Sequence, residues 1–340
     1  MSVTIKDIAK ECNVSITTVS RVINNKDEGV GEKTRELILD TIERLDYRPN
    51  ALARSMITKR TNTIGLVIPD VRNPFFSELA RGAEDVCNEN GYGIFLCNTD
   101  GCMEKEGEYI RILKDRFTDG ILFTTQNTIE YNQTFNLFLK KHFPFLFIER
   151  YVDELKEVPG VFVDNFQGAY ELTQFIINKN HHKILFISGP LTTKNAQHRQ
   201  NGYLKALSDN GIEVTERFIL HGNYRYSGGY KAIKQYLSVH GADFTALFAS
   251  NDLMAFGAYQ ALEEEGFSIP EDVSLAGFDN TPFPEVFKPK ITTVEIPAYK
   301  MGQTAATMLL EIIKNEQPSE SKKVFTLDLI DKGSVIHRQG

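Results

Sequence analysis

The chain has 340 residues, 41% of them hydrophobic, and a formal net charge of −7. That length suits more than one domain with a full-sized core, and the composition excludes a disordered chain. Charge is unevenly spread: residues 1–62 hold eleven Lys/Arg against nine Asp/Glu, while the rest is acidic by nine charges, so only the first part is a candidate for an anionic partner such as DNA.

Cysteines 12, 87, 97 and 102 show no metal-ligand spacing, and "MSVTIKDIAK" lacks the apolar run of a signal peptide. No stretch of eighteen apolar residues occurs, so no membrane span, free thiols and a cytoplasmic location are expected.

From Thr4 to about Leu45 the pattern predicts three short helices. Thr4 with Asp7 forms a capping-box pair, and Ile5, Ile8 and Ala9 share an apolar face up to Cys12. After a turn at Asn13, Ser15 caps "ITTVSRVIN", whose Val19, Val22 and Ile23 face inward. The opposite face presents Ile16, Thr17, Ser20 and Arg21, short side chains beside one cation that suit a major groove. Thr4, Ser15, Ser20 and Asn24 can cap helices or meet the DNA backbone. Any small three-helix domain, with Ser and Thr as plain caps, reads the same from this pattern alone. A third helix, "EKTRELILDTIERLD", sets Leu37, Ile38, Thr41, Ile42 and Leu45 on one face.

Residues 47–62 contain Arg48, Arg54, Lys59 and Arg60 and no carboxylate. Asn50 can cap a short helix, "ALARSMI", with Ala51, Leu52, Ala53, Arg54 and Met56, too short to be stable alone in water. It is either a DNA-dependent element or a linker.

From Thr61 onward apolar strands alternate with amphipathic helices: "TIGLVIP", "GIFLCN", "DGILFTT" and "PFLFIER", then, restarting after Pro159, "GVFVDN", "KILFISG", "RFILHG", "TALFAS" and "VSLAGFDN". The expected fold is α/β, two parallel-sheet lobes over roughly 61–159 and 160–290, with a crossover near 291–300 and C-terminal segments shared between them. Ligands of such folds bind between the carboxyl ends of the strands. There stand Asp70, Asn98, Asp100, Thr125, Gln126, Glu149, Arg150, Arg199, Asn251, Asp252, Asp279 and Asn280, which can exchange hydrogen bonds with vicinal hydroxyls, while Phe75, Phe76 or Tyr224 can cover a sugar ring. Asp252, before "LMAFGA", is equally placed to be a helix cap.

Enzyme signatures are missing. There is no GxGxxG after a strand, no GxxxxGK[ST] and no GxSxG, and His181–His182 have no further nearby ligand. Glu149 with Asp279 remains a remote glycosidase pairing. No cofactor or metal is expected.

"VTIKDIAKECNVSITTVSRVIN", "YRPNALARSM", "TNTIGLVIPDVRNPFFSELARGAED", "DGILF", "ASNDLMAFGAYQALEEEGFSIPEDVSLAGFDN" and "ITTVEIPAYKMGQTAA" together resemble, in order and over nearly the whole chain, the lactose and galactose repressor family of bacterial transcription factors. The resemblance implies a helix-turn-helix domain over 1–49, a hinge over 50–60 and a core over 61–340 like periplasmic sugar-binding proteins. It implies base reading by Ile16, Thr17 and Arg21 and minor-groove entry by Met56, where the family usually has leucine. It implies effector contacts at or near Phe75, Phe76, Glu149, Arg199, Tyr224, Asn251 and Asp279, to which the strand-end pattern adds Asp70, Thr125 and Arg150 as candidates.

Two departures matter. Gly31 replaces a frequent capping Ser, and Thr193 stands where a purine-responsive member has an additional arginine, which disfavours an anionic effector. The expected protein is a non-enzymatic repressor, homodimeric because its tail "LIDKGSVIHRQG" has no heptad pattern, bound to palindromic operator DNA and released by a neutral sugar. A sugar phosphate or a regulatory protein partner is the alternative control.

Overall fold

The structure is a computed structural model, which describes all residues except 1–2, 25–27, 49–59, 116–117, 126–132, 141, 283–289, 317–319 and 339–340. The hinge positions Asn50, Ala51, Leu52, Ala53, Arg54 and Met56, and also Gln126, lie outside the described residues. Contacts divide the chain into two units, residues 1–61 and 62–340.

In the small unit, α1 (Ile5–Glu11), α2 (Ile16–Ile23) and α3 (Glu32–Arg44) enclose a core of Ile8, Ala9, Cys12, Val19, Val22 and Ile38. The Thr4 backbone N–H and hydroxyl both donate to the Asp7 carboxylate, at 2.9 and 2.7 Å. Gly31 precedes α3 with no side-chain cap, as its lack of a side chain requires. Leu37 corrects the expected face: it is 49% exposed, because Ile38 and Thr41 already fill the space over α1 and α2.

The large unit contains a six-stranded parallel sheet in the order β11-β5-β4-β3-β1-β2 and a four-stranded parallel sheet in the order β7-β6-β8-β9. The first comprises β1 (Thr63–Ile68), β2 (Gly93–Asn98), β3 (Gly120–Phe123), β4 (Phe145–Ile148), β5 (Gly160–Val163) and β11 (Lys322–Phe325). The second comprises β6 (Ile184–Ser188), β7 (Ile219–His221), β8 (Ala246–Ala249) and β9 (Ser274–Ala276). An antiparallel pair, β10 (Thr293–Glu295) with β12 (Asp328–Ile330), accompanies them.

The lobe boundary expected at residue 160 is therefore corrected. β5 pairs with β4 and β11 in the first sheet, and the chain passes to the second lobe after Asp164, which caps the helix Asn165–Asn178. Pro159 before β5 and Gly160, its first residue, mark only its edge. Between β3 and β4 the described residues form only a short helix, Asn136–Leu139, after a 3-10 turn, and Phe135 and Phe138 pack onto Phe123, Phe145 and Phe147.

Helix α4 (Pro74–Glu89) packs against the late helix Ala298–Ile313 at glycine contacts. A Cβ on Gly82 would lie 2.0 Å from the Tyr299 carbonyl oxygen, and one on Gly302 would lie 2.0 Å from that of Leu79. Only glycine permits this backbone approach. A C-terminal helix thereby belongs to the first lobe, beside the strand ends that carry the candidate site.

Candidate nucleic-acid interface and ligand cleft

Helix α2 starts where Ser15 Oγ accepts from the Thr18 N–H at 3.0 Å. Burying Val19 and Val22 turns Ile16, Thr17 and Arg21 outward, with Ile16 45% exposed. Asn24 donates its side-chain N–H to the Ser20 carbonyl at 2.6 Å, closing the helix end. An apolar, a hydroxyl and a guanidinium group thus share one open helix face, the mixture that can read base edges.

In the large unit, polar residues after the strands converge on the cleft between the lobes. Glu149, following β4, accepts from Arg150 Nε at 2.7 Å and from Asn195 Nδ2 of the second lobe at 2.6 Å. Arg199 donates to Asn165 Oδ1 at 2.7 Å, the Ser250 carbonyl at 2.5 Å and Asp279 Oδ1 at 3.2 Å, and lies 4.0 Å over the Phe278 ring. Arg150 sits 5.9 Å from the Phe76 ring centre and 5.5 Å from that of Tyr224, one ring from each lobe. Asp70 holds Arg72 through two side-chain bonds and reaches Arg225 of the second lobe at 3.2 Å. Glu149, Tyr224 and Asp279 have φ of 65°, 60° and 111°, so three of these side chains are aimed by sparsely populated backbone conformations.

Electrostatics follow from burial. Desolvation pushes Asp279 up to about 8, against the pull of Arg199, with Asp252 and Glu149 adding repulsion. Asp252 is raised to about 6 by desolvation, opposed by its bonds from Thr293 and Thr281. Tyr224 is raised to about 12 by burial. The Tyr224 hydroxyl and Ser250 Oγ are buried without a hydrogen-bond partner among the described residues.

Two cavities adjoin this network. One of about 550 Å³ is lined by Asp70, Phe76, Arg150 and Tyr224 among the expected residues, and by Thr193, Asn223, Arg225 and Tyr226. Another, of about 700 Å³, takes in Phe75 and Asp279 together with Asp252 and the crossover. Arg199 and Glu149 line neither cavity: both are buried, Glu149 bonded to Arg150 and Arg199 beside the Tyr224 ring.

Two expected contacts have other duties. Asn251 caps the helix Asp252–Glu264, accepting from the Met254 N–H at 3.0 Å and donating to the Tyr224 carbonyl at 3.1 Å, which consumes both ends of its amide. Asp252, the expected alternative cap, instead ties Thr281 to Thr293. Thr125 donates to the buried Glu106 carboxylate at 3.2 Å. Sequence reasoning missed Asn165, Asn195 and Arg225; only their polarity near helix starts signalled them.

The described residues contain no candidate metal cluster and no helix long and apolar enough to cross a membrane. Residues 4–50 match "Bacterial regulatory proteins, lacI family", and residues 61–331 match "Periplasmic binding proteins and sugar binding domain of LacI family". The HTH-type transcriptional regulator RegA of Clostridium saccharobutylicum is 37% identical over 99% of this chain and 100% of its own. A solved transcriptional regulator CelR–cellobiose complex is 28% identical, with TM-score 0.72 over 98% of this chain and 99% of that one. A LacI family regulator from Enterococcus faecium with bound ribose is 31% identical, with TM-score 0.73 over 82% of this chain and 100% of that one.

Proposed function

The chain belongs to the lacI family of bacterial regulatory proteins and is a DNA-binding, sugar-responsive transcriptional regulator rather than an enzyme, and from that premise we propose that it is a homodimeric repressor released from a palindromic operator by a neutral sugar. Ile16, Thr17 and Arg21 of paired α2 helices read bases in successive major grooves, with Thr4, Ser15, Ser20 and Asn24 holding helix ends or backbone. The segment Asn50, Ala51, Leu52, Ala53, Arg54 and Met56 enters the minor groove between them. Edge strand β2 leaves Phe95 and Leu96 49% and 44% exposed, which supports self-association through that edge.

The contacts of the cleft arginines carry the effector reading. Each already touches a carboxyl group, Arg150 that of Glu149, Arg199 that of Asp279, while Arg72 and Arg225 share Asp70. An anionic ligand would have to break one of these pairs, whereas hydroxyls can join them as donors and acceptors. The cellobiose and ribose of the similar structures support a saccharide and leave its size open.

The test follows operator affinity on a duplex selected by this protein from random sequence, while neutral sugars and sugar phosphates are titrated. A neutral sugar is expected to weaken binding by about tenfold or more. Response to sugar phosphates alone, or only when a partner protein is added, overturns the direct-inducer reading.

A further inference from the structure

The lining of the 550 Å³ cavity is of two kinds. Phe76, Arg150 and Thr193 are buried, while Asp100, Asn223, Arg225 and Tyr226 are exposed, a floor and a mouth of different character. Tyr224 and Tyr226 leave the same turn yet differ: the Tyr224 hydroxyl is fully buried and its ring lies 5.5 Å from Arg150 and 5.9 Å from Arg199, whereas Tyr226 is 36% exposed. Among the described residues no ring or cation stacks on Tyr226.

We propose that the cleft holds two sugar subsites in line and that its effector is an unphosphorylated disaccharide, with Tyr226 as the platform for the outer ring. This rests on the reading of the core as a receptor for a neutral saccharide. Size is the first argument: about 550 Å³ lies within the range that accommodates drug-sized ligands, and one pyranose ring set against Phe76 leaves the exposed mouth to water. Chemistry is the second. The exposed Tyr226 lines the cavity with an aromatic surface, which suits the apolar face of a sugar ring, and among the described residues the Asn223 side-chain nitrogen and Ser227 hydroxyl, which line it too, bond to no protein group and are open to hydroxyls. Charge is the third. Arg72 and Arg225 share Asp70 and Lys105 holds Asp100, so a phosphate there would have to displace a carboxylate from each cation it bound, whereas hydroxyls can join these contacts.

The experiment is calorimetry on the full chain with glucose and galactose against cellobiose, maltose and lactose, repeated on Tyr226→Ala and Tyr226→Phe. Tyr226 opens a helix at the surface, so near-ultraviolet circular dichroism serves as the check on folding. At least one disaccharide is expected to bind about tenfold tighter than its constituent monosaccharide. Tyr226→Ala should lower that affinity by about tenfold and leave the monosaccharide within about twofold, while Tyr226→Phe keeps both. Monosaccharides binding as tightly as every disaccharide, or an equal loss for both classes in Tyr226→Ala, overturns the two-subsite proposal alone. Binding of no saccharide, or of sugar phosphates only, overturns the neutral-saccharide reading and this proposal with it.

Discussion

Replacing Asp279 by Asn separates an ion pair from a buried neutral acid. Asp279 lies 3.2 Å from Arg199, yet burial raises it to about 8, well above the usual 3.8. A folded-state value above the unfolded one means that the neutral acid's contribution is complete below about pH 4 and is lost as pH rises through about pH 8. Within that window wild-type stability falls by ~1.4 kcal/mol per pH unit relative to a variant that cannot ionise, or roughly 3 kcal/mol from about pH 5.5 to about pH 7.5. Asn copies the shape of the protonated acid and tolerates the left-handed backbone there, φ 111°. Urea unfolding of both proteins across this range, followed by near-ultraviolet circular dichroism, measures the difference. Parallel pH profiles would refute the reasoning and make Arg199–Asp279 a permanent ion pair.

Removing the Ser15 cap with Ser15→Ala should destabilise the small unit by about 1 kcal/mol and weaken operator binding with it; an unchanged melting temperature of residues 1–61 counts against the cap. Met56→Ala should weaken operator binding and DNA bending while random-duplex binding stays nearly intact, and Met56→Leu should keep or slightly tighten it; equal losses on both duplexes reduce the segment to a linker. Gly82→Ala forces apart two helices whose backbones touch, so a loss of about 2–3 kcal/mol is expected in denaturant unfolding, and a neutral outcome would mean the helix pair slides freely.

Most elements were legible because their hydrophobic periods are unambiguous. The strands from "TIGLVIP" to "VSLAGFDN" all form, and the helix start expected at Ser15 carries its side-chain cap. Sheet membership was not legible, since a parallel strand looks alike in either lobe and only the partners of β5 assign it. Within the site, strand-end carboxylates and arginines could be named, but their pairing could not. Asn251 and Asp252 are both good caps, and the choice is made by Thr281 and Thr293, far along the chain, which satisfy the buried Asp252. Asn195 escaped notice because its partner Glu149 lies 46 residues away, in the other lobe.

The return of β11 and the helix Ala298–Ile313 to the first sheet bears on how the protein is made. Residues 1–61 form a unit of their own and can fold as soon as they leave the ribosome. The first lobe cannot be completed until β11 at residues 322–325 has been synthesised. During translation a finished DNA-binding head therefore hangs from an unfinished sensor. An mRNA truncated after residue 61 but before β11 would release a head that the sugar signal cannot govern.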